Sequence, residues 1–134
     1  MADTVSSQTI EDGPRNLVMK FTNVSDGTGE SDVVKVDVSA LGVSITSLKV
    51  RKIEYNVTGG AVRIEWDATT DVVLAYLSGY GTYYLKDTQG AFNPAGTGNT
   101  GDILFTTSGF IAAGASNPAS GYTITLFMTK GNAP

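Results

Sequence analysis

Apolar and polar positions alternate with a period of two along most of the chain. Leu17, Met19 and Phe21 alternate with Val18, Lys20 and Thr22, and Val34, Val36 and Val38 alternate with Lys35 and Asp37. Near the end, Tyr122, Ile124, Leu126 and Met128 alternate with Thr123, Thr125, Phe127 and Thr129. This period places successive side chains on opposite faces of a strand. The Val, Ile, Thr and Tyr that dominate these runs suit a pleated, half-buried surface. Further strands are predicted at 72–77, 82–86 and 103–107, and no segment has the spacing of an amphipathic helix.

Between these runs, KIEYNVTGGAVRIEWD predicts a hairpin with Gly59-Gly60 at its tip, because both glycines accept the positive φ of a primed two-residue turn. Folding there would set Val57 against Val62, Tyr55 against Ile64 and Ile53 against Trp66 on one face. Upstream, Leu48 and Val50 follow one phase and Ile53, Tyr55 and Val57 the other. The slip at Arg51-Lys52 predicts a β-bulge. The Gly, Asn, Pro and Ala content of residues 88–101 and 111–121 marks them as loops. The polar, unpatterned residues 1–10 read as a mobile N-terminal arm, and residues 11–134 as a single domain. About eight short strands point to a sandwich, a jelly roll or a small barrel. The favoured expectation is an all-β, two-sheet β-sandwich of jelly-roll type.

At 134 residues with 41% hydrophobic content, the chain can bury one moderate core without metal or disulfide support. It has no cysteine and no histidine, which excludes Ser-His-Asp and Cys-His arrangements and ordinary zinc sites. No nucleotide-phosphate glycine motif occurs. The opening residues lack the basic and apolar regions of a secretory signal, and no apolar run approaches a membrane span; a soluble protein is expected. A net charge of −4 is opposite in sign to what nucleic acid attracts. Lys49, Arg51 and Lys52 form the one basic concentration and read as a solvated strand face. Only 16% of residues are charged, against about 25% in typical soluble domains. That fits either a Thr- and Gly-rich β protein or a surface built for contact.

Carboxylates are the remaining candidates for chemistry. In the expected hairpin Glu54 and Glu65 would face each other, and glycosidase acids stand about 5–9 Å apart. A polar outer face relieved by Arg63 explains the pair more simply. Asp26, Glu30 and Asp32 match no calcium loop, and they read, like Asp67 and Asp71, as turn residues. The reading therefore assigns no catalytic residue, no metal and no cofactor. Tyr80, Tyr83 and Tyr84 lie among glycines, and Phe92 lies in the long loop. Tyr80, Tyr83 and Phe92 are the candidate interface residues, with alternation expected to bury one of Tyr83 and Tyr84.

Taken together, DGPRNLVMKFTNVSDGTGESDVVKVDVSAL, KIEYNV with VRIEWDATTDVV, TGDILFTTSGF and YTITLFMTK resemble small virion proteins of tailed bacteriophages over residues 11–130. The resemblance extends to capsid decoration, or cement, proteins. It implies a non-enzymatic β-rich homotrimer, made in the host cytoplasm, that binds the major capsid protein on the outer surface and braces neighbouring capsomers. Another virion part (tail, head fibre or connector) and a carbohydrate- or receptor-binding module are the alternative expectations. No partner of nucleic acid or membrane type is implied.

Overall fold

A computed structural model of the chain describes residues 4–13, 16–37, 45–67, 71–84, 102–112, 114 and 118–132. Seven strands follow one another without a helix among these residues: β1 (Thr4–Asp12), β2 (Asn16–Val24), β3 (Val33–Val36), β4 (Ile45–Trp66), β5 (Val72–Tyr84), β6 (Ile103–Ser108) and β7 (Gly121–Asn132). All pairings are antiparallel. The strands form one continuous sheet in the order β1-β2-β7-β4-β6-β3, with β5 also on β4. This sheet curls until it is nearly closed into a barrel. The all-β expectation holds, but the pairing joins every strand into one sheet instead of dividing them between two.

Curling depends on β4, which changes partner half-way. Residues up to Thr58 pair with β7, and residues from Ala61 pair with β6. The expected Gly59-Gly60 hairpin does not form; β4 runs through both glycines, and its hairpin partner is β5, reached across residues 67–71. Val57 lies opposite Gly79, Val62 opposite Leu77, and Ile64 opposite Ala75. The glycines serve a corner. Gly59 has φ +75°, where an L side chain is strained. A Cβ on Gly60 would sit 2.6 Å from both Phe110 Cδ1 and the Ser108 carbonyl oxygen. Buried Ser120 holds the corner, its hydroxyl donating to the Gly59 carbonyl at 3.0 Å and accepting from Ile111 N–H at 2.9 Å.

The bend brings β6 across from β2 and β7, and aromatic side chains fill the space between. Phe105 meets Phe21 and Tyr122 edge-to-face, with centroids 5.3 and 5.6 Å apart. Trp66, Ile53, Ile64, Ile124 and Leu126 complete a core closed to solvent. The predicted bulge is present: Val50 pairs with Met128 and Lys52 with Phe127, leaving Arg51 extra. A register shift at Lys35 breaks the expected single face of Val34 and Val36, turning Val34 outward and Val36 inward. Val38 and the predicted loop 88–101 lie outside the described residues. Residues 82–84 of the strand predicted at 82–86 form the end of β5, and residues 85 and 86 lie outside the described residues.

Residues 4–10 are not a pattern-less arm but most of β1, paired with β2 from Thr4–Val24 to Asp12–Leu17. Their polar character reflects the surface position of this outermost strand, and Ser6 and Thr22 hydroxyls hydrogen-bond across it.

The corner is testable at Gly60. Replacing it with Ala forces Phe110 and Ser108 apart, at a cost of about 1–3 kcal/mol, read as a lower denaturant midpoint. Gly60→Asn separates the two geometries, since a primed turn accepts Asn readily whereas the corner has no space for it. A Gly60→Asn protein as stable as wild type contradicts the corner.

Candidate functional site

The surface of β5 departs furthest from what a solitary folded chain needs. Its sequence, VVLAYLSGYGTYY, holds thirteen residues with no charge and no proline. One edge pairs with β4 on both sides of Ser78; among the described residues no strand pairs with the other. Sheet edges are ordinarily guarded by shortness, charge, proline or a bulge, because unpaired amides recruit another strand. The other two edges have such guards: β3 has four residues, a register shift and Lys35, and β1 has a register shift at Ile10 followed by Glu11 and Asp12. On β5 register shifts fall at Leu74 and at Ser78, but no charged residue and no proline accompanies either.

Register places Tyr76 opposite Arg63, Tyr80 opposite Asn56 and Tyr84 opposite Lys52. These tyrosines share the outer face at intervals of four residues and span about 26 Å at strand rise. Tyr80 is 84% exposed, and Tyr76 and Tyr84 are exposed as well. Tyr83 takes the inner face opposite Ile53 yet stays 42% exposed, because the sheet ends there. Alternation therefore divides Tyr83 from Tyr84 as expected, without burying either. Gly81 gives Tyr55 its place, since a Cβ there would lie 3.2 Å from the Tyr55 hydroxyl. Tyr80 and Tyr83 thus lie on one strand with Tyr84. Phe92 lies outside the described residues. Sequence reasoning missed Tyr76, although the spacing of four from Tyr80 was visible once 72–84 is read as one strand.

A second cluster forms where β4, β5 and β6 meet the loop before β3. Carboxylate oxygens of Asp32, Glu65 and Asp71 lie within 4.8 Å of one another. Glu65 is 5% exposed. Its Oε1 accepts from Thr106 Oγ1 at 3.0 Å, and its Oε2 lies 3.4 Å from Arg63 Nε. The Thr106 hydroxyl also reaches Asp32 Oδ1 at 3.1 Å and accepts from Asp32 N–H at 2.9 Å. Burial first, then the hydrogen bond and like charge of Asp32, raise the Glu65 pKa above its ordinary 4.5, against the pull of Thr106 and Arg63. Glu65 thereby favours its protonated form in the fold. These are the three described carboxylates that could approach one cation, although Arg63 already places a positive charge beside them.

The expected Glu54–Glu65 pair is not formed. Both residues are on β4, with Glu54 exposed opposite Thr82 and Glu65 buried opposite Val73 and Leu104. The acidic turn also separates: Asp26 accepts from Thr28 N–H at 3.0 Å, and Glu30 turns inward to the Tyr122 hydroxyl at 2.6 Å and Lys35 at 2.5 Å. Asp67 and Asp71 flank the β4–β5 connection.

No protein-family profile and no curated protein sequence matches the chain.

The basic concentration borders a groove of about 290 Å³ lined by Glu11, Val18, Arg51, Lys52, Tyr84 and Phe127, among others. Lys49 and Arg51 are exposed, in keeping with a solvated face. Lys52 is not: it is half-buried, with its ammonium 4.1 Å from the Phe127 centroid, 6.0 Å from that of Tyr84 and 3.9 Å from Glu54.

A raised folded pKa means that the fold binds the Glu65 proton more tightly than the unfolded chain does. Its contribution is complete below pH 4.5 and is lost as pH rises through the higher folded value. Urea midpoints measured from pH 4 to pH 8 should fall with pH more steeply in wild type than in Glu65→Gln. Parallel curves would contradict the raised pKa of Glu65.

Proposed function

We propose that this chain is a non-enzymatic structural protein of a tailed-bacteriophage virion, a decoration protein that binds the major capsid protein on the outer surface and braces adjacent capsomers, with homotrimeric self-association. The observation that carries the reading is the long, uncharged edge of β5 with its exposed tyrosines. A strand of this kind gives main-chain hydrogen bonds to an added strand and aromatic area to a neighbouring surface. Tyr76, Tyr80, Tyr83 and Tyr84 together offer roughly 500 Å² of contact area, against about 800 Å² per partner in a standard interface. They supply the centre of a docking surface, which needs further contacts around it. The lack of histidine and cysteine agrees with a role that involves no turnover. A cement protein stabilises by linkage: it binds the assembled lattice more tightly than loose subunits and shifts that equilibrium.

Co-sedimentation with capsids of the parent phage tests the reading. Wild-type protein should pellet with expanded capsids, and Tyr76→Ser/Tyr80→Ser should bind at least tenfold more weakly with an unchanged circular dichroism spectrum. Failure of wild type to bind capsids, coupled with capture on a glycan array, would replace this proposal with a carbohydrate-binding one.

A further inference from the structure

An amine, a carboxamide and a carboxylate meet inside the barrel at Glu30. This residue is fixed through its own backbone: its N–H donates to Thr107 Oγ1 at 2.8 Å, and its carbonyl accepts from Thr107 N–H at 2.9 Å. Its carboxylate turns inward. Oε2 lies 2.5 Å from Lys35 Nζ, and Oε1 accepts from Asn23 Nδ2 at 3.2 Å and from the Tyr122 hydroxyl at 2.6 Å. The side chains of Lys35 and Glu30 are 8% and 6% exposed, and Asn23 is 2% exposed. Phe105, packed edge-to-face on Phe21 and Tyr122, has its ring centroid 5.9 Å from Lys35 Nζ.

The fold brings these groups together across its seam. Asn23 belongs to β2, beside one end of the strand order, and Lys35 to β3, which is the other end. Lys35 is the residue left over by the β3 register shift, so its side chain is released from strict alternation and enters the core. Desolvating an ammonium and a carboxylate is costly, and apolar side chains of the same volume would stabilise the core at least as well. The grouping therefore has a use beyond packing.

We propose that Lys35 and Asn23 become joined by an intramolecular isopeptide bond, formed within the folded chain with Glu30 as proton carrier. Glu30 takes a proton from the Lys35 ammonium across their short contact, which a low dielectric favours because two charges become two neutral groups. The freed Nζ lone pair attacks Asn23 Cγ, and the carbonyl electron pair moves onto Oδ1. Glu30 gives its proton to Nδ2; the carbonyl re-forms, the Cγ–Nδ2 bond breaks and ammonia leaves. The surplus proton on Nζ passes through Glu30 to the departing ammonia. An amide and an ammonium ion thus replace the amide and ammonium present at the start, and no oxidant or co-reactant is consumed. One carboxylate holding both reactants supplies proximity, and the aromatic surroundings exclude water as a competing nucleophile. The product straps β2 to β3 where no strand pairing joins them, and constrains the unfolded chain as a disulfide does, in a sequence without cysteine.

The bond needs no partner, so its test is separate from capsid binding. Mass spectrometry of the purified protein, unfolded and digested with trypsin, reads it directly. Wild type should be lighter than its sequence by one ammonia. Trypsin should leave residues 21–49 as one peptide, because an acylated Lys35 is not cut, and fragmentation should place the link between Asn23 and Lys35. Glu30→Gln, which cannot accept the proton, should keep the full mass and release residues 21–35. Wild type of full mass with cleavage after Lys35 overturns the proposal. So does ammonia loss with Lys35 still cleaved, which places the loss elsewhere, and so does the bond in folded Glu30→Gln, which removes Glu30 as proton carrier. The wild-type readings decide the bond itself even where a buried substitution prevents folding.

Discussion

One strand that must turn a corner governs this structure. β4 is 22 residues long and pairs with β7 before Gly59-Gly60 and with β6 after it. Without that exchange the sheet would stay open, and Phe105 could not reach Phe21 and Tyr122. The corner tolerates no side chain at residue 60 and favours glycine at 59, so two positions without a Cβ determine how the remaining strands close. Buried Ser120 and its hydrogen bonds fix the angle.

The surface follows from the same strand. Because β5 accompanies β4 through both halves, it is long, and its far side stands at the margin of the sheet. Evolved monomers spend charge on such margins, and β1 and β3 show the usual devices. On β5 glycine, serine, threonine and tyrosine replace them. A chain of low charge density thus keeps a tyrosine-bearing strip of 13 residues free of charge. That distribution favours oriented contact over solubility alone, which is the physical basis for reading the chain as a component of an assembly.

Much of the fold was legible in the residues. Alternation located β2, β6 and β7, and the phase slip at Arg51 identified a real bulge. The hairpin was misplaced because Gly-Gly meets the needs of a primed turn and of a tight strand corner equally well. Cross-strand matching of Val57 with Val62 could not separate the two, since both residues are core in either arrangement. β1 was missed because a strand on the outside of a sheet has no apolar face to display. At the site, Tyr80 and Tyr83 were visible as candidates, and Tyr76 was lost when β5 was divided in two. The grouping of Asp32, Glu65 and Asp71 left no trace in sequence, because strand pairing across more than thirty positions brings Asp32 to the other two.

Hydrogen–deuterium exchange along residues 72–84, measured on the free protein and on the protein bound to intact particles, addresses the role of β5 most directly. The account expects outward amides of β5 to exchange quickly in the free protein and to become protected on the particle, with little change along β1 and β3. Equal exchange along β5 in both states, with protection appearing elsewhere, would contradict it.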